Sequence, residues 1–128
     1  MSRWRLLVAI PVGCNLAAFG AVLAVLESFL HPVRFLGLPV GVVAAAVVNL
    51  AVAQLVGRAT RSRLLALIPG AAWLLTVILF AIGRPEGDFV VAANWTGYGY
   101  LVAGAVGAVI GVLTLPWYSL PPPSSPPE

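Results

Sequence analysis

Gly57-Arg58-Ala59-Thr60-Arg61-Ser62-Arg63 is the stretch on which the fold turns. It is a short basic segment between two long apolar runs. It carries three of the chain's seven cationic side chains and none of its acids. Arginine beside a long apolar run marks the cytoplasmic end of a membrane helix. The segment therefore reads as the cytoplasmic hinge of a four-helix membrane protein, with Arg58, Arg61 and Arg63 as its topology signal.

Working outward, the composition agrees. Of 128 residues, 61% are apolar and 9% charged, and the mean hydropathy is +1.03. Soluble domains carry about 25% charged residues, so this chain has too few charges to cover a water-facing surface. The net charge of +3 is small and comes only from Arg, which speaks against a nucleic-acid-binding face. The lone Cys14 sits in an apolar run and reads as a small hydrophobe.

Four uncharged runs are expected as transmembrane helices, over residues 6–26, 37–57, 64–83 and 97–115. The first, at 1.5 Å per residue, is about 31 Å long, enough to cross the hydrocarbon layer. It is also too long for the apolar part of a signal peptide. The fold class is thus all-α and polytopic, one transmembrane domain over residues 1–118. Residues 119–128, mostly Pro and Ser, form an extended, disordered cytoplasmic tail. Trp4, Trp95, Tyr98, Tyr100, Trp117 and Tyr118 read as interfacial anchors.

With four spans, the N-terminus, the hinge and the C-terminus share a side. That side holds Arg3, Arg5, Arg58, Arg61 and Arg63, against Arg34 and Arg84 on the other. The bias places both termini in the cytoplasm and the protein in the cell membrane. It also speaks against antiparallel dimers, which need unbiased loops.

Arg3-Trp-Arg-Leu-Leu-Val-Ala-Ile-Pro11 matches Arg61-Ser-Arg-Leu-Leu-Ala-Leu-Ile-Pro69 at six of nine positions. Two spans per half would make this a parallel repeat, with Pro11 and Pro69 bending helices one and three at equal depth. Convergence on basic flanks and an early proline explains the match equally well.

Chemistry is sparse. No Asp, Glu, Lys, Arg or His lies inside the four runs as bounded above. Glu27 falls at the outer edge of helix one, where the bland reading is an interfacial charge paired with Arg34. No metal-ligand spacing, nucleophile–base set or phosphate loop is visible, so no catalytic residue, metal or cofactor is assigned and the chain is expected not to be an enzyme. The remaining intramembrane polar groups are Asn15, Asn49, Gln54, Thr76 and Thr114, of which Asn15, Asn49 and Gln54 are candidate helix-to-helix contacts. Asn15 and Asn49 both fall near mid-depth and are expected to bond each other. Gly104, Gly107 and Gly111 in helix four are candidate close-packing positions, toward the chain's own helices or toward a partner.

Gly83-Arg-Pro-Glu-Gly-Asp-Phe89, between helices three and four, resembles the corresponding loop of a small actinobacterial family of four-helix membrane proteins of unknown function. The absence of Lys and the Ala/Val/Gly/Arg bias suit a high-GC genome. The resemblance implies no activity, but it marks Arg84, Glu86 and Asp88 as a candidate interaction loop. The expected function is that of an accessory or interaction subunit, engaging another membrane protein or a second copy of itself within the lipid bilayer. The alternative is a small homo-oligomeric transporter or channel with a pathway near Asn15 and Asn49.

Overall fold

The computed structural model describes residues 3–30, 32–82, 91 and 94–117. Four helices account for most of them: α1 Arg3–Ser28, α2 Val40–Thr60, α3 Arg63–Ala81 and α4 Trp95–Leu113. Each is long and apolar enough to cross a membrane. The loop Arg84, Glu86 and Asp88 and the tail over 119–128 lie outside the described residues.

Local chemistry sets the helix ends. Between α1 and α2 the chain makes a small antiparallel hairpin, β1 Arg34–Phe35 and β2 Leu38–Pro39, paired Arg34 to Pro39 and Phe35 to Leu38. Its turn uses positive φ at Leu36 (51°) and Gly37 (81°), the backbone that suits a two-residue hairpin turn. Gly37 and Pro39 are consumed by this hairpin, so α2 begins at Val40 rather than at Gly37 as the apolar run suggests. The basic hinge is very tight. Arg61 takes the left-handed conformation that ends α2 (φ 51°), and the Ser62 side chain caps α3 by accepting from Leu65 N at 3.2 Å. Asn94 caps α4 in the same way, accepting from Gly97 N at 3.0 Å, so α4 starts two residues earlier than the apolar run.

The helices do not pack in chain order. α2 and α4 run parallel along their whole length. A Cβ on Gly107 would overlap the Ala46 carbonyl, and one on Gly111 would lie 2.7 Å from the Leu50 oxygen. α3 closes this pair into a three-helix unit, with the Trp73 ring filling the space that Gly104 leaves. α1 packs mainly along α3 and barely touches α2, its neighbour in sequence. Gly20 lies flush against the Pro69 backbone.

That contact fixes the stagger of α1. Pro11 lies nine residues before Gly20, about 13 Å further along the axis, so Pro11 and Pro69 are not level. Nor do α1 and α2 pack as a two-helix unit. The sequence match between the starts of α1 and α3 is not mirrored in how these helices are placed.

The core has two parts. One gathers Ala24, Ala45, Trp73, Val77, Val91 and Tyr100. The other, nearer the hinge, gathers Ala53, Ala66, Val112 and Leu115. Most large apolar side chains outside these clusters are exposed, Leu7, Phe19, Leu55 and Leu75 among them. Such a surface suits lipid rather than water.

Candidate functional site

Glu27 stands in the last turn of α1, and the stagger of α1 carries it inward. It comes level with Trp73, halfway along α3, instead of with the outer end of that helix. Its side chain is only 5% exposed. Trp73 Nε1 donates to Glu27 Oε2 at 2.8 Å, while Oε1 is buried with no hydrogen-bond partner. Trp73 and Tyr100 are fully buried, their ring centroids 5.3 Å apart and the planes tilted by 56°. Ser28, the next residue in the chain, is buried and donates to Ala24 O at 2.6 Å. α1, α3 and α4 thus bring a carboxylate, an indole, a phenol and a hydroxyl together in an otherwise apolar core.

This corrects two expectations. Glu27 is not an interfacial charge paired with Arg34, because Arg34 Nη2 donates to Thr96 Oγ1 at 3.1 Å, at the hairpin end of α4. Tyr100 is not an interfacial anchor. It shares one face of α4 with the buried Gly97, Gly104 and Gly111, whereas Trp95, Tyr98 and Trp117 are largely exposed. The signal for this site was available in the sequence. Trp73 falls on the same helical stripe as Ala66, Pro69 and Val77, a core position rather than a membrane-surface one.

The other sequence candidates fall elsewhere. Asn15 is exposed on α1 and donates to Pro11 O at 2.8 Å. Asn49 is buried and donates to Ala45 O at 2.9 Å. Each amide is thus held by the preceding turn of its own helix, and the expected Asn15–Asn49 bond is not made. Gln54 does bridge helices, donating to Gly111 O at 2.7 Å and to Thr114 Oγ1 at 2.6 Å, and it accepts from Arg58 Nε at 3.1 Å. Gly104, Gly107 and Gly111 all face the chain's own helices.

Two of the hinge arginines have structural contacts as well. Arg58 holds Gln54 as described. Arg63 Nη2 donates to Leu115 O at 2.6 Å, and its guanidinium lies 4.0 Å from the centre of the Trp117 ring. The start of α3 is thereby tied to the end of α4. Arg61 is exposed. Near the hairpin, Arg34, Pro39, Val42, Trp95, Thr96 and Gly99 line an open cavity of about 280 Å³. Among the described residues no group of three His, Cys, Asp or Glu side chains gathers.

Four helices, each long and apolar enough to cross a membrane, with a carboxylate buried among them, form a bundle compatible with a membrane-spanning protein. Residues 5–125 match a family of unknown function, DUF6113, and the chain belongs to that family. No curated protein and no solved structure matches it.

Proposed function

We propose that the chain is a non-enzymatic integral protein of the cell membrane, with both termini cytoplasmic, that serves as an accessory subunit of another membrane protein. One observation carries this reading. α1 leans mainly on α3, and its uncovered surface includes the amide of Asn15 together with Cys14. In lipid, a primary amide on a helix surface favours a partner helix that can bond it. The glycine faces of α4 are taken up inside the chain, so the partner surface is assigned to α1. The loop Arg84, Glu86 and Asp88 is retained as a second contact on sequence grounds alone, as is an actinobacterial source.

Cys14 supplies the test, since it is the chain's single thiol. A thiol-directed photo-cross-linker placed there in native membranes is expected to capture one protein in stoichiometric yield, and Asn15→Leu is expected to reduce that capture several-fold. Labelling of lipid alone would overturn the subunit reading.

A second reading, a small homo-oligomeric transporter or channel, is favoured by the intramembrane carboxylate of Glu27. A cross-link to a second copy, with substrate flux lost in Asn15→Leu or Asn49→Leu, would support it over the first.

A further inference from the structure

We infer that Glu27 is a proton-binding site inside the bundle: its Oε1 takes up one proton per chain, and Trp73 is the side chain that registers the change. The inference is independent of the subunit reading. It rests on position, partners and surroundings.

The position is intramembrane. Glu27 belongs to the span Leu7–Ser28 and lies beside the midpoint of α3. An ionisable group at such a place is costly to keep unless it has a task. The partners are incomplete. Oε2 receives the Trp73 N–H, but buried Oε1 receives nothing. A native structure satisfies most buried polar atoms, and an orphan is the unusual case.

Among the described residues, no counter-charge faces Glu27. Of these residues, α3 presents Trp73, α4 presents Tyr100, and α1 itself presents Ser28. The described cations are all placed elsewhere. Arg34 is bonded to Thr96, Arg58 to Gln54 and Arg63 to Leu115, while Arg3 and Arg61 are exposed. A metal cation would need several oxygens to replace its water shell, and Oε1 is the one unsatisfied carboxylate oxygen here. A proton needs only that atom. The O–H bond forms on Oε1, the proton comes from bulk water, and the site gains one positive charge.

The test uses the full chain in detergent micelles with Trp4→Phe, Trp95→Phe and Trp117→Phe, leaving Trp73 as the only indole. Its emission is followed from about pH 4 to about pH 9. The expected result is a single-proton transition, the ratio of the two forms changing about tenfold per pH unit, that vanishes in Glu27→Gln. A transition that persists in Glu27→Gln, or none in the parent, would overturn the inference. A second measurement needs no Glu27 variant. A hydrophobic carbodiimide reacts with a protonated carboxyl in an apolar site, and mass spectrometry of the labelled wild-type chain is expected to map the adduct to Glu27. Labelling at Glu27 should rise several-fold as pH falls. Adducts confined to other acids, or labelling of Glu27 that ignores pH, would overturn it as well.

Discussion

Trp73 does two jobs for one position. Its ring fills the space opened by Gly104, and among the described residues its N–H is the one hydrogen-bond donor to the Glu27 carboxylate. Trp73→Phe keeps an aromatic ring but leaves both carboxylate oxygens bare. Losing a hydrogen bond to a buried charged group costs about 1.5–3 kcal/mol, and the smaller ring adds a packing loss. Unfolding of the purified protein in mixed micelles should show a drop of about 2–4 kcal/mol. Gly107→Ala tests close approach, because its Cβ would overlap the Ala46 carbonyl on a rigid helix backbone. The same assay should report a loss of about 1–3 kcal/mol. Gly99→Ala is the control: its Cβ would meet Val42 at an ordinary 3.8 Å, and it should be near neutral or slightly stabilising. Equal effects at Gly99 and Gly107 would mean that helix propensity, not the α2–α4 contact, sets the outcome.

At the scale of elements, the four long helices were legible and their neighbours were not. Uncharged runs of about 20 residues announce spans whatever they pack against. Which helix touches which depends on side-chain fit that no single run displays. Glu27 shows the cost. At the edge of an apolar run it looks like a surface charge, and only the slide of α1 along α3, set by Gly20 against Pro69, carries it to the depth of Trp73. Tyr100 was misread for a related reason. Nearness to a helix start suggested the membrane surface, but its spacing from Gly97 and Gly104 puts it on the buried face. The Asn94 cap and the Leu36–Gly37 hairpin turn likewise moved helix starts that apolar runs alone set wrongly. The tie between α3 and α4 makes its own prediction. Arg63→Ala frees the Leu115 carbonyl and uncovers Trp117. It should lower stability by about 1–2 kcal/mol and increase hydrogen exchange at the end of α4 more than elsewhere.

For the whole molecule, Arg58 and Arg63 of the basic hinge serve packing, and the orientation read from the arginine distribution is open to a direct test. Reporter fusions at the two chain ends are expected both to signal the cytoplasm, the outcome that the Arg distribution predicts. Arg58→Glu with Arg61→Glu should shift a measurable share of molecules to the reverse orientation, and an unchanged distribution would move the signal to Arg3 and Arg5. α2, α3 and α4 pack as a three-helix unit, with α1 attached along one side, mainly to α3.

The Glu27–Trp73 bond spans 46 positions of chain, and this sets an order on biogenesis. The acid is synthesised before its indole partner, so a nascent chain that ends short of Trp73 has a Glu27 carboxylate without that donor. In such truncations the first segment is expected to sit shallower in a bilayer than in the full chain, its final depth waiting on a residue made later.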